Sequence, residues 1–115
     1  MPAGLYVPNT GHVIARRVRW AKTPAERARG LLGTRRLDSG EALVIEPARQ
    51  VHTFGMRYEI DVCFCDSTWR VLHVVTRLRP RRVTRWVLRA RFAVEAPAGA
   101  LAGIEPGDQL SLSER

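Results

Sequence analysis

The sequence predicts a small, mainly β domain of the α+β kind: six to seven short strands in a barrel-like or sandwich arrangement, with one or two short helices. Three observations point there. The apolar runs are short and punctuated by Gly, Pro, Asn and Asp, as strands joined by turns are. One segment alone, Thr23-Pro24-Ala25-Glu26, carries a full set of helix-start signals. The chain has 115 residues, 45% of them hydrophobic, which is enough for one modest core. A sheet of this size buries its apolar face by closing or by folding over.

Residues 1–11 hold Gly4, Pro8, Asn9 and Gly11 and read as a turn-rich lead-in, ordered only in part, to a globular domain over 12–115. His12 to Trp20 reads as a strand with Ile14, Val18 and Trp20 on one face and Arg17 and Arg19 on the other, Arg16 being the exception. Thr23 then caps a helix with Pro24 at its first position and Glu26 at its third. Ala25, Ala28 and Leu32 share a face, and the helix ends near Gly33. The continuous apolar run from Ala42 to Glu46 fits a strand buried on both faces and stopped by Pro47.

Glu59 to Cys65 alternates, with Ile60, Val62 and Phe64 on one face and Asp61, Cys63 and Cys65 on the other. A reverse turn over Asp66–Trp69 leads to a strand from Arg70 to Thr76. Its Val71, His73 and Val75 are expected on the face of Ile60, Val62 and Phe64. Arg77 to Arg85, broken by Pro80, reads as a long loop, and Val87 to Ala96 as a strand with an irregularity near Ala90. Residues 97–104 suggest a weak helical turn. Glu105-Pro106-Gly107-Asp108 suits a type II turn, with Gln109 to Leu112 as the closing strand.

The formal charge is +8, and Lys22 is the one lysine. No acidic residue separates Asp66 from Glu95, while Arg70, Arg77, Arg79, Arg81, Arg82, Arg85, Arg89 and Arg91 fall between them. Such a block sets up a positive local field that attracts phosphates or acidic surfaces. A multidomain enzyme with separate cofactor and substrate domains is not expected at this length, and the apolar content excludes a disordered chain. No window approaches the roughly 18 consecutive apolar residues of a membrane span, and no membrane partner is expected. The start Met1-Pro2-Ala3-Gly4-Leu5-Tyr6 lacks a secretory pattern. On a strand Cys63 and Cys65 point the same way but sit too far apart along the chain for an unstrained bridge, so a reducing cytoplasm is the expected compartment.

The run His52-Thr53-Phe54-Gly55-Met56-Arg57-Tyr58-Glu59-Ile60-Asp61-Val62, followed by Phe64 and Asp66, closely resembles the central motif of the domain of unknown function family number 192. Arg29-Gly30-Leu31-Leu32-Gly33 resembles that family's helix-borne Arg-Gly-Leu element. Val94-Glu95-Ala96-Pro97-Ala98-Gly99 and Gly107-Asp108 resemble its closing segment. The resemblance spans roughly residues 12–112. Trp69 departs from it, standing where the family's turn carries glycine, and the arginine-rich stretch lies where members vary most. The resemblance implies a mostly β fold with one or two short helices, and it implies no activity, since the family has none settled.

Two readings stand for the cluster around Gly55. In one, Arg29, His52, Phe54, Gly55, Met56, Tyr58 and Asp61 form a pocket for a small polar or anionic ligand, with a cation, an imidazole, a carboxylate and an apolar floor. In the other, Asp61 pairs with Arg29 or Arg57 and His52 bonds a backbone carbonyl, holding an irregular strand in shape. The basic stretch is a second candidate. Arg77, Arg79, Arg81, Arg82, Arg85 and Arg89 with Trp86 offer bidentate donors and a stacking ring to a nucleic acid or acidic protein. The alternative there is a solvated basic face.

A small hydrolase would draw on His52 with Asp61 as a base and on Cys63, but no activating group accompanies the thiol. No Gly-x-Ser-x-Gly, phosphate-binding loop or His-Glu-x-x-His occurs. A zinc site would need His73 to face the two cysteines, which the alternation forbids. The expectation is therefore a non-catalytic binding domain with no cofactor and no metal, centred on His52–Asp61.

Overall fold

The computed structural model describes residues 3–30 and 37–113. Seven strands lie in one sheet: β1 (Ala3–Val7), β2 (His12–Ala21), β3 (Glu41–Ile45), β4 (Ile60–Cys65), β5 (Val71–Leu78), β6 (Phe92–Pro97) and β7 (Ser111–Ser113), in the order β5-β4-β6-β3-β2-β1-β7. Neighbours are antiparallel except β2 and β3, which run parallel and are joined by the crossover carrying helix α1 (Pro24–Arg29). The sheet is not a closed barrel. Its two ends meet at an isolated bridge between Arg70 and Gln109, with Leu110 N–H donating to the Trp69 carbonyl at 3.0 Å. The fold is the barrel-like alternative in an open, curled form.

Both faces of the sheet are buried, as the apolar run of β3 predicts. One gathers Leu5, Val18, Val44, Cys63, Cys65 and Val94 with Leu101 and Leu110 from the 98–110 turns. The other gathers Leu43, Ile45, Ile60, Val62, Phe64 and Ala93 with Met56 and Val87 from the two long loops. The alternation of β4 divides as expected, its odd residues to the first core and its even residues to the second.

Where expectation and structure part, the backbone gives the reason. The lead-in contributes a strand: Ala3–Val7 pairs with β2 on one side and β7 on the other, and the turn residues 8–11 close the hairpin to β2. In β2 the exception at Arg16 is a bulge. The N–H groups of Arg16 and Arg17 both donate to the Gly40 carbonyl, at 2.8 and 3.0 Å. In β5 an extra residue at Leu72 shifts the register, so Val71 opposes Cys65 while His73 opposes Phe64. Val71 therefore joins the cysteine face and Leu72 the opposite one. The strand expected from Val87 begins only at Phe92. Val87 and Ala90 are buried from a turn closed by Ala90 N–H on the Val87 carbonyl, so their apolar character is packing rather than strand period.

The capping box of α1 is present, with Glu26 N–H donating to Thr23 Oγ1 at 3.1 Å and Thr23 N–H donating to Glu26 Oε1 at 3.0 Å. The helix stops at Gly30, earlier than expected, and none of its residues is buried, Ala25 and Ala28 included. Leu32 and Gly33 lie outside the described residues. Trp69 takes φ 68°, the left-handed conformation that a glycine adopts freely. Stacking holds it there, its ring centroid 4.0 Å from that of Phe92 with planes 6° apart.

Candidate ligand-binding site

The segments 47–59 and 79–91 run beside each other over the second core face and are laced by two buried threonines. Thr53 Oγ1 donates to the Arg79 carbonyl at 2.6 Å and accepts from Arg82 N–H at 2.9 Å. Thr84 Oγ1 accepts from Val51 N–H at 3.0 Å, and Val87 N–H donates to the Arg49 carbonyl at 2.8 Å. The arginine-rich stretch is thus tied down along its length by ordinary backbone pairing.

Between these segments and α1 opens a groove of about 280 Å³. Arg27, Arg29 and Gly30 line it from the helix, Arg49 and His52 from the loop beyond the β3 end, and Trp86 from the second loop. Ile45, Val51 and Met56 supply apolar wall. Arg27 reaches across to the Pro47 carbonyl, Nη1 donating at 3.4 Å, and Arg49 is fixed by its Nε–H on the Leu88 carbonyl at 3.0 Å. The His52 Nδ1 accepts from Phe54 N–H at 3.2 Å, which leaves Nε2 as the protonated nitrogen of the neutral ring. This is the reverse of the expected bond from His52 to a carbonyl.

Glu95 also lines this groove. It projects from the middle of β6, opposite Leu43 of β3 and Val62 of β4, and is only 2% exposed. Its Oε1 has no hydrogen-bond partner, and neither has the buried Nε of Arg27. Burial alone pushes the Glu95 carboxyl up from 4.5 to about 7. Gly30 leaves the approach open: a Cβ built on it would stand 3.8 Å from Glu95 Oε1.

The structure divides the sequence-predicted residues. Arg29, His52 and Met56 meet in the groove, joined by Trp86 from the basic stretch. Phe54 and Gly55 sit at an exposed loop tip, Gly55 at φ 87°. Tyr58 lies in a separate depression with Arg77 and Arg79, and Arg77 forms an ion pair with Glu59 at 3.6 Å. Asp61 is wholly internal. Its Oδ1 accepts from Arg77 N–H at 2.9 Å, and its Oδ2 from Gly99 N–H at 2.9 Å and Leu101 N–H at 3.0 Å. It therefore pairs with neither Arg29 nor Arg57, and it does not orient His52. Arg81, Arg82, Arg85 and Arg89 are exposed, and Trp86 is 57% exposed.

Cys63 and Cys65 are free and buried, and the neighbouring thiol together with burial pushes Cys63 well above its ordinary value. That is the setting of a structural cysteine, and it leaves the hydrolase reading without a nucleophile there. His73 stacks on Phe64, away from the cysteines, as the alternation requires. Among the described residues no three His, Cys, Asp or Glu side chains gather as a metal would need, and no helix is long and apolar enough to cross a membrane.

The fold is a curled, open seven-stranded sheet of the small mainly β class. Two solved structures share it. A protein of unknown function from Novosphingobium aromaticivorans matches with a TM-score of 0.80 at 23% identity, over 96% of this chain and 84% of that one. A Sinorhizobium meliloti protein, provisionally called a transcription regulator, matches with a TM-score of 0.77 at 20% identity, over 95% and 90%. At these identities the likeness concerns the fold. The chain belongs to the family DUF192, described as an uncharacterized ACR, whose model matches residues 6–112. It is also 42% identical over 62 residues to the UPF0127 protein PH1112 of Pyrococcus horikoshii, a match covering 52% of this chain. The match spans about half the length of that relative, 53%.

Proposed function

We propose that this protein is a non-catalytic binding domain for a small anionic ligand, held in the groove between α1, the 47–52 segment and Trp86. One observation carries the reading: a buried carboxyl group with an unpartnered oxygen lies in a groove edged by arginines. A buried polar atom left without a partner costs about 1–3 kcal/mol. Native folds seldom tolerate that without a role. Arg27, Arg29 and Arg49 favour a negative charge at the mouth, Trp86 offers a flat apolar surface, and Ile45, Val51 and Met56 suit a short carbon skeleton.

This shifts the expected ligand contacts from His52–Asp61 to His52, Met56, Trp86 and Glu95. The basic stretch enters the same reading through Trp86. Arg77 is already paired with Glu59, and Arg91 with Glu46 at 3.0 Å, so the block is less uniformly cationic than its sequence. The test is an amide and indole NMR titration with a panel of small carboxylates. The expected result is saturable shifts at Gly30, Ala48, Met56 and the Trp86 indole. Shifts absent from these positions at millimolar ligand would overturn the reading. Shifts along Arg77–Arg91 on adding a single-stranded oligonucleotide, if they survived physiological salt, would replace it with polyanion binding.

A further inference from the structure

Glu95 Oε1 and Arg27 Nε are the two buried side-chain atoms without hydrogen-bond partners among the described residues, and both residues line one groove. A guanidinium N–H can only donate. A carboxyl group donates when neutral and only accepts when ionised. A guest that satisfied Arg27 and an ionised Glu95 would have to present an acceptor to one and a donor to the other. A guest that satisfied Arg27 and a neutral Glu95 needs two acceptor atoms, which the two oxygens of a carboxylate supply.

The charged groups that line the groove with Glu95 choose between these. Arg27 and Arg29 face it from α1, and Arg49 and His52 from the 47–52 segment. The residues opposite Glu95 on β3 and β4, Leu43 and Val62, are apolar, as is Met56. Among the described residues no second carboxylate lines the groove. A cationic guest is therefore disfavoured and an anionic one attracted.

Resting on the reading of this groove as a ligand site, we propose that its ligand is a small monocarboxylate held between Arg27 Nε–H and the acid O–H of Glu95, and that it is bound together with one proton. The proton resides on Glu95 and lies between two carboxyl groups, a charge-assisted hydrogen bond of the strong kind. Burial already brings the empty site close to this state, because the free carboxyl is half protonated at about pH 7. Below that pH the acid is in place before the ligand arrives. Above it, each bound molecule draws a proton from the buffer.

The experiment uses the full chain, benzoate as a probe that is an anion throughout the range, and benzamide as its uncharged counterpart. Calorimetry from pH 5.5 to 8.5, in two buffers of different ionisation heat, reads affinity and proton uptake together. The expected affinity for benzoate is level at the acid end and falls about tenfold per pH unit above 7. Uptake approaches one proton at the alkaline end, and benzamide shows no such profile. In Glu95→Gln the amide keeps a donor that does not titrate, so benzoate binding persists with a flat profile and no uptake.

A pH-independent affinity in the wild type, or proton release, would overturn the proposal and leave the groove a ligand site. A profile that survives in Glu95→Gln would assign the proton to His52 and overturn it equally. No benzoate binding at any pH would bring down the site reading and this inference together.

Discussion

Asp61 and Glu95 stand on the adjacent strands β4 and β6, each a carboxylate inside an apolar run and each buried. They face opposite sides of the sheet, because Asp61 opposes Ala96 while Glu95 opposes Val62. Asp61 meets the 97–101 turns and the end of β5, and three backbone N–H groups fill its oxygens. Glu95 meets a groove, and its Oε1 is unfilled. The same residue chemistry, at the same depth, is a clamp for chain segments on one side and an open valence on the other. Burial alone does not mark a functional carboxylate; the list of its partners does.

The largest expected effect tests the clamp. Asp61→Asn replaces one acceptor oxygen by an amide that confronts a backbone N–H, and it is expected to lose about 3–4 kcal/mol in urea unfolding. A loss below about 1 kcal/mol would erase the contrast with Glu95.

Glu95→Gln is expected to move the other way. The raised carboxyl favours the neutral form, so its contribution to stability is complete below 4.5 and is lost as the pH rises through about 7. Glutamine does not titrate. Its advantage over the wild type should therefore grow from pH 4.5, levelling off above pH 7 at on the order of 3 kcal/mol. Thermal unfolding midpoints across that range check it, and a parallel pair of curves would show that Glu95 has a hidden partner. The smallest effect sharpens the geometry. Gly30 has φ 50° and ψ −122°, outside the left-handed helical region and open in practice to glycine alone, so Gly30→Ala should cost about 2 kcal/mol through backbone strain, with little clash at the 3.8 Å approach to Glu95. Chemical denaturation would measure it.

Much of the fold is legible locally. The capping box around Thr23 and Glu26, the two faces of β4 and the turn at Glu105–Asp108, with Asp108 N–H on the Glu105 carbonyl at 3.0 Å, all depend on near neighbours. What escapes depends on remote ones. β1 looks like loop because Pro8, Asn9 and Gly11 dominate its surroundings, while its pairing with β7 lies at the other end of the chain. The extra residue at Leu72 is invisible to alternation counting until the partner strand sets the register.

Of the site, Arg29, His52 and Met56 are legible as a cluster, and Glu95 is not. The signal was present: a glutamate in Phe92-Ala93-Val94-Glu95-Ala96 has no cation within its own strand to neutralise it. Asp61 carried the same signal, and only the three-dimensional partner list separates the two.

The pairing of β1 with β7 has a consequence for how the protein is made. Leu5 is fully buried, yet the strand that covers one edge of β1 contains Leu112. A ribosome releases β1 early and β7 late, so the first strand waits with an open edge while nearly the whole domain is synthesised. Contacts so distant in sequence are slow to form. Unpaired strand edges are also where nascent chains misassociate. Completion of this sheet consequently waits for its last strand, and until then the free edge of β1 is the place most open to misassociation.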